Sequence, residues 1–483
     1  MAEYNYSAML VGRIQEQAIL AEKLSSGEAE LIAIYGRRRV GKTFLIRTYF
    51  KDKIAFELTG VHEAAFRHQL LNFGFALQSA MKAKLPVATP ENWIQAFQML
   101  SQFLNELPVK KPAVIFFDEF PWLHTQKSGF LQAFEHWWNS YASKKTNIKV
   151  VICGSAASWM IDHVINNKGG LHNRVTQKIR LLPFSLSETM TYLSTRGIKL
   201  NHYLTLQLYM AIGGIPQYLK GIHKGESVAQ AIDRLCFTKD GMLKGEFKNL
   251  YQSLFKNSHH HEHIIRALAK KGKGLTRNEI ITECNLSSGG TATKILKELE
   301  ESGFISSYIP FNKTEKESLF KLTDEYSLFY LKYIEHAKSS GAGTWLQQST
   351  TSSYSTWSGL AFESICQKHV LQIKKALGIE KVLTNVSSWR HSPSGGVKGT
   401  QIDLLIDRQD KVINLCEVKF CQTEFTIDKK YAEELTNKVL IFKSANKIRS
   451  SIFPTMITTY GVKNNDYYRN IVQSQIIMDD LFR

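Results

Sequence analysis

Three short apolar runs, residues 31–35, 113–117 and 149–153, lie in the first third of the chain, and each ends at a polar or glycine-containing turn. Segments of helical spacing separate them. Ahead of the first run, Ile19, Leu20 and Leu24 fall on one side of a segment that follows Gly12 and Arg13. Alternation of strand-like and helix-like segments over residues 1–185 predicts a parallel sheet wrapped by helices. Residues 186–256 read as mostly helical, broken at Gly213-Gly214-Ile215-Pro216, where glycine and proline punctuate the pattern.

The spacing changes after that. In residues 257–336, Ile264, Ile265 and Leu268 mark one helix, and Thr276 with Glu279 forms a capping-box pattern at the start of a second. In a third helix Ala292, Ile295, Leu296 and Leu299 share one face, while Thr291, Lys294 and Lys297 share the other. Two short strands near 305–308 and 319–322 complete the pattern of a winged helix. Its third helix is suited to a DNA major groove, although many such modules dock only proteins. His259, His260, His261 and His263 are too close together along one helix start to converge on a metal, and are expected to be solvated. Residues 337–358, rich in Ser, Thr and Gly, read as a linker, either flexible or an extended ordered loop. Residues 359–483 begin with an apolar helix carrying Glu363 and continue into a β-hairpin with Asp403 on its first strand and Glu417 and Lys419 on its second. Another helix follows from Asp428.

The chain has 483 residues, 43% hydrophobic and 22% charged, an ordinary composition for about two to four globular domains. The formal net charge of +18 adds a polyanionic partner to the picture, and DNA is the expected one. The six cysteines are scattered without a CxxC pair, which argues against zinc and for reduced thiols. The first residues lack the basic and apolar regions of a signal peptide. No run reaches the roughly 18 apolar residues of a membrane span. The expectation is a soluble, cytoplasmic protein with no membrane association.

The turn after the first apolar run carries the most specific chemistry. Gly36, Arg37, Arg38, Arg39, Val40, Gly41, Lys42 and Thr43 fit G-x-x-x-x-G-K-[ST], and the helix continues with Phe44. An apolar strand, a glycine loop and a helix N-terminus together form a phosphate cradle. Its expected cofactors are ATP and Mg²⁺, with Lys42 on the β- and γ-phosphates and Thr43 on the metal. The second run ends in Asp118-Glu119. Asp118 is placed to orient Mg²⁺, and Glu119 to polarise an attacking water. The third run leads to Ser155, a polar residue that could sense the γ-phosphate. Gly12 would let a planar base approach the backbone.

A second acidic set lies near the C-terminal end. Asp403, Glu417 and Lys419 follow the pattern D-x13-E-x-K, and the Glu-Val-Lys spacing points Glu417 and Lys419 to one face of a strand. Carboxylates so arranged can hold one or two Mg²⁺ ions for phosphodiester hydrolysis. Lys419 would then orient water or neutralise charge in the transition state, and Glu363 would complete the metal's surroundings.

The motifs LVGRIQEQ, YGRRRVGKT, VIFFDEFPWL, VICGSAASWM and GGIPQYL occur in the order found in the AAA+-type "archaeal ATPase" group of Archaea and bacteria, related to the STAND NTPases, which this chain resembles. The resemblance implies an ATPase core over 1–185, a helical lid over 186–256, a winged helix over 257–336, a linker over 337–358, and a domain similar to PD-(D/E)xK nucleases, of the DUF234 kind, over 359–483. The fold class so implied is α/β: a P-loop parallel sheet, then a winged helix, then an α/β nuclease-like domain with a mixed sheet. The resemblance also implies that Arg13 lies near the nucleotide and that Arg174, in GLHNRVTQKIRLLPFS, senses it or acts as a finger. Only one such arginine is found, so a homo-oligomer is compatible with the sequence but a hydrolysing ring is not specified by it. Two functions fit: an ATP-driven enzyme that binds and cuts DNA, or a nucleotide-dependent switch whose C-terminal domain binds without cutting.

Overall fold

The computed structural model describes residues 10–166, 169–171, 173–255, 257–287, 289–337, 341, 343–391 and 399–483. It divides into two units, one up to Leu182 and one from Pro183 to Arg483.

The first unit is built on five parallel strands: β1 (Glu30–Tyr35), β2 (Ile54–Thr59), β3 (Ala113–Asp118), β4 (Ile148–Gly154) and β5 (Gln177–Arg180). Their spatial order is β2-β3-β4-β1-β5. The three runs read from the sequence become β1, β3 and β4. These strands are buried along nearly their whole length, as expected where helices cover both faces of a parallel sheet. One face carries an aromatic core in which Phe97, Phe117, Phe130, Phe134 and Trp137 pack edge to face, tilted or stacked. The helix Trp93–Asn105 enters this core behind Asn92, whose side chain accepts from the Gln95 N–H at 2.9 Å. The Trp137 indole N–H, which would be costly to bury unpaired, donates to Ser101 at 3.0 Å.

The second unit begins with the helices Leu186–Thr195 and His202–Ile212, capped by Ser185 and Asn201. Gly213, at φ 66°, ends the latter, and Pro216 starts the next, Pro216–Leu219. After the helices Val228–Ile232 and Glu246–Leu254 come Ser258–Lys270, Arg277–Glu283 and Gly290–Glu301. Ile264, Ile265, Leu268, Ile280, Ile295 and Leu299 are buried between them, and the Thr276–Glu279 capping box is formed. Three short strands, β6 (Leu275–Thr276), β7 (Ile305–Tyr308) and β8 (Leu319–Leu322), make an antiparallel sheet in the order β6-β8-β7. The histidines at the helix start are not uniformly solvated. His261 is buried, stacks on Phe255 at 3.9 Å and contacts Glu298 at 2.7 Å.

A larger correction concerns the expected linker. Its described residues include the helix Thr344–Gln348 and the beginning of Ser352–Lys368. Both Asp233 carboxylate oxygens accept backbone N–H groups there, from Gly343 at 3.1 Å and Trp345 at 2.6 Å. The Trp345 ring packs against Phe329, Tyr333 and Tyr354. The Ser/Thr/Gly content that suggested flexibility supplies caps instead, as at Thr351, which accepts from the Tyr354 N–H.

The chain ends in a mixed sheet of β9 (Thr384–His391), β10 (Thr400–Arg408), β11 (Val412–Lys419), β12 (Ser451–Thr458) and β13 (Ser474–Ile477), in the order β13-β12-β11-β10-β9. β9, β10 and β11 are antiparallel, whereas β11, β12 and β13 are parallel. The helix Lys429–Asn446, capped by Asp428, supplies the crossover that a parallel β11–β12 pair requires. Trp389, Leu405, Ile413 and Phe442 form the core beneath it. No helix among the described residues is long and apolar enough to cross a membrane.

Replacing Trp345 by Ala should destabilise the second unit by about 3–5 kcal/mol. Urea unfolding of the full chain would measure it. An unchanged midpoint for that unit's transition would mean that residues 344–358 behave as a linker after all.

Candidate nucleotide site and a second acidic site

The loop between β1 and the helix Lys42–Phe50 has a backbone that its residues dictate. Gly36 sits at φ 145°, and a Cβ there would lie 2.3 Å from the Leu181 carbonyl oxygen. Gly41, at φ 92°, is the N-cap of the helix. Both positions favour a residue without a side chain. The Lys42 ammonium donates to the carbonyl oxygens of Gly36 and Arg37, each at 2.9 Å. Burial lowers the Lys42 pKa, while the neighbouring Cys153, Glu119 and Asp118 pull it back up.

The Thr43 hydroxyl lies 2.9 and 3.1 Å from the two oxygens of Asp118 and donates to that carboxylate. Asp118 is 4% exposed. Burial raises its pKa, and the hydrogen bond from Thr43 works in the other direction. β4 lies between β1 and β3, so the residue following β4 emerges between the two motifs. That residue is Ser155. Its N–H and hydroxyl donate to one oxygen of Glu119, at 3.2 and 2.7 Å. Glu119 itself sits at φ 44° as the N-cap of the short helix Phe120–Leu123, an uncommon conformation for a residue with a side chain.

Arg13 is 5% exposed. It donates to the Val40 carbonyl at 3.1 Å and pairs with Glu16 at 3.7 Å, so it braces the loop. Gly12 precedes it at φ 63°. Arg37 is buried, Arg38 lies over the Trp122 ring at 5.3 Å, Arg39 adopts φ 71°, and Phe44 is 44% exposed. Arg174 is exposed, in the turn before β5. The sequence reading overlooked Trp122, which follows directly in the FPWL stretch after Asp118-Glu119. Cys153, expected as a reduced thiol, is buried near Lys42, and burial pushes its pKa well up. Thr43 and Asp118 offer the oxygen donors that suit a hard divalent cation, and Lys42 supplies positive charge beside them.

In the C-terminal sheet the antiparallel ladder pairs Leu404 with Cys416. Asp403 and Glu417 lie just beyond that pair on the two strands, and the charges of both act on Glu363. Glu363 comes from the helix Ser352–Lys368. Burial, then Asp403, pushes its pKa up to about 7. Glu417 is 5% exposed. Its oxygens contact Lys419 at 3.1 Å, Lys438 at 2.7 Å and the Tyr431 hydroxyl at 3.0 Å. Burial pushes its pKa up, but the two lysines outweigh this and leave it lowered. Asp403 accepts from the Gln401 amide at 2.5 Å. Among the described residues no three His, Cys, Asp or Glu gather closely enough to form a ready metal cluster. The expected residues thus share one neighbourhood, with Glu417 already neutralised by cations. Lys438 and Tyr431 were not anticipated, although both lie on the helix expected from Asp428, and their seven-residue spacing puts them on one face.

Lys42→Ala should abolish or strongly weaken ATP binding, measured by calorimetry. Glu119→Gln should retain binding and lower turnover by roughly 10²-fold or more, a general-base loss. Ser155→Ala should lower turnover less, because it removes one anchor of Glu119. Normal hydrolysis by Glu119→Gln would refute the role given to that carboxylate.

Residues 10–222 match the model of an ATPase domain found predominantly in Archaea. Residues 329–435 match DUF234, described as archaeal and bacterial proteins of unknown function. MJECL04, an uncharacterized protein of Methanocaldococcus jannaschii, is 24% identical over 434 residues, spanning 89% of this chain and 92% of its own. MJ0423 of the same organism, an uncharacterized ATP-binding protein, is 47% identical over 45 residues, 9% of this chain and 76% of its own. Among solved structures, the Walker-type ATPase PABY2304 of Pyrococcus abyssi has a TM-score of 0.49 at 17% identity, covering 67% of this chain and 96% of that chain. The ORC2 protein of Aeropyrum pernix, in ADPNP–ADP complexes, has a TM-score of 0.43 at 15% identity, covering 72% and 98%. With its phosphate-binding loop and paired acids, this nucleotide-binding chain is an ATPase, carrying an ATPase domain of the predominantly archaeal kind over 10–222 and a DUF234 domain over 329–435.

Proposed function

We propose that this ATPase uses Mg²⁺-bound ATP to control DNA binding and metal-dependent DNA cleavage. The observation that carries the cleavage reading is that Asp403 and Glu417, from two strands, both act on the Glu363 carboxylate of a neighbouring helix, with Lys419 paired to Glu417. In the ATPase unit, Thr43 and Asp118 would hold Mg²⁺, Lys42 would bind phosphate oxygens, and Glu119 would take the proton of the attacking water while Ser155 keeps its carboxylate in place. Bound Mg²⁺ would supply charge for the phosphates at both sites. At the second site Asp403 and Glu417 would hold it, with Glu363 completing its surroundings. Lys419 and Lys438 would balance charge that builds up on the phosphate.

DNA is favoured by the net charge of +18 and by the exposed Thr291, Lys294 and Lys297 on the outer face of Gly290–Glu301. We read residues 257–336 as a winged helix on this ground. Neutralising several phosphates would make binding fall steeply with salt. A specific observation favours a second reading, a switch that binds without cutting. Glu417 is already engaged by two lysines and a tyrosine, so a metal would have to displace or share those contacts.

The decisive assay incubates wild type, Lys42→Ala and Asp403→Ala with linear, supercoiled and single-stranded DNA, with Mg²⁺ or Mn²⁺, with and without ATP. The proposal expects cutting by wild type, its loss in Asp403→Ala, and a changed ATP response in Lys42→Ala. Intact ATP hydrolysis with no cutting under any condition would leave the switch as the function.

A further inference from the structure

The turn joining β7 to β8 is anchored on the C-terminal sheet. The Phe311 N–H donates to the Ser388 carbonyl at 2.8 Å, and the Phe311 ring packs 5.1 Å from Phe442. This anchor holds β8 next to the second acidic site. Lys321, on β8, is one of the charges acting on Glu363, and its ammonium lies 5.9 Å from the centre of the Tyr308 ring.

Beside Lys321 a cleft of about 710 Å³ opens between Ser258–Lys270, β8 and Ser352–Lys368. Its walls include Leu322, Leu328, Leu331, Trp357 and Leu360, and Leu360 is 52% exposed. Lys270, Lys321 and Lys332 stand around it. Among the described residues none of these three lysines forms an ion pair, whereas Arg266 at the same cleft is held by both oxygens of Glu335, at 2.7 and 2.6 Å. The cleft also reaches Glu363 and Ser364. The Ser364 hydroxyl is buried and has no hydrogen-bond partner among the described residues. A neighbouring cleft of about 740 Å³ shares Lys270 and Gly272 with it and adds Lys271, Lys273 and Arg390, which outnumber its two acids, Glu279 and Glu283. Positive charge therefore continues outward along the surface.

A duplex keeps its bases stacked inside and presents phosphates outside, and its major groove alone is about 12 Å wide. It would meet the lysines and leave the apolar wall wet. An unpaired strand offers both phosphates and base faces, which is the chemistry that basic grooves with apolar or aromatic walls accommodate. We propose that this cleft receives one unpaired DNA strand, with phosphates on Lys270, Lys321 and Lys332 and a base against Leu360 and Trp357, and leads it to Glu363. The Ser364 hydroxyl gives the bound strand a buried polar contact. The proposal rests on the reading of Asp403, Glu417 and Glu363 as a DNA-cutting site, and it names the substrate of that site as single-stranded.

The test measures fluorescence anisotropy of a labelled oligothymidine of roughly 20 nucleotides, and of a duplex of equal length, on the full chain in EDTA. Oligothymidine should bind roughly tenfold or more tightly than duplex, and thymidine monophosphate should compete poorly. Leu360→Asp and the double variant Lys321→Glu/Lys332→Glu should each weaken oligothymidine binding roughly tenfold, with ATP hydrolysis and thermal unfolding unchanged. Equal binding of duplex, effective competition by the mononucleotide, or wild-type binding by both variants would overturn the assignment. EDTA separates binding from cutting. Oligothymidine bound through the cleft but never cut with Mg²⁺ or Mn²⁺ would sink the nuclease reading and leave the cleft's ligand as assigned. Duplex cutting that survives both variants would do the reverse.

Discussion

The hydrogen bond from the Thr43 hydroxyl to the Asp118 carboxylate is the constraint on which the ATPase unit turns. The two residues are 75 positions apart in sequence and meet at 2.9 Å. Their meeting requires β1 and β3 to run parallel, to end at the same level, and to be separated by a single strand. It also requires Gly36 and Gly41, because the loop between β1 and the helix must turn through backbone angles that side chains resist. An aspartate 4% exposed is expensive to keep charged without a partner. The hydroxyl opposite it and the nearby ammonium of Lys42 both answer that cost.

β4 connects this arrangement to catalysis. By lying between the other two strands it brings Ser155 to Glu119, and both the N–H and the hydroxyl of Ser155 hold the same carboxylate oxygen. The sequence marked Ser155 as a phosphate sensor on its own, but the structure adds that it grips the neighbouring acid.

What could be read in advance follows physical scale. β1, β3 and β4 were legible because a buried parallel strand needs an unbroken apolar run. The break at Gly213–Pro216 and the cap at Thr276 were legible because they depend on a few adjacent residues. The order of the strands was not, since it depends on pairings far apart in sequence. The helix over 344–348 and the first turns of the helix over 352–368 were misread as linker because their stabilising partners, Asp233 and a cluster of aromatic rings, lie elsewhere in the chain. For the same reason Lys438 and Tyr431 on Glu417, and the docking of Phe311 onto the C-terminal sheet, had no local signature. That docking changes the meaning of the β7–β8 hairpin. Its tip is committed to the neighbouring sheet, and its strand carries Lys321 to the edge of an acidic site.

The ATPase unit and the unit proposed to bind a DNA strand lie in one chain, so occupation of one should register in the other. The most direct measurement is the steady-state rate of ATP hydrolysis by the intact protein in Mg²⁺, titrated with single-stranded DNA. A saturable change in rate is expected, absent in Lys321→Glu/Lys332→Glu although that variant hydrolyses ATP normally without DNA. A rate that stays constant through saturating DNA would contradict the coupling.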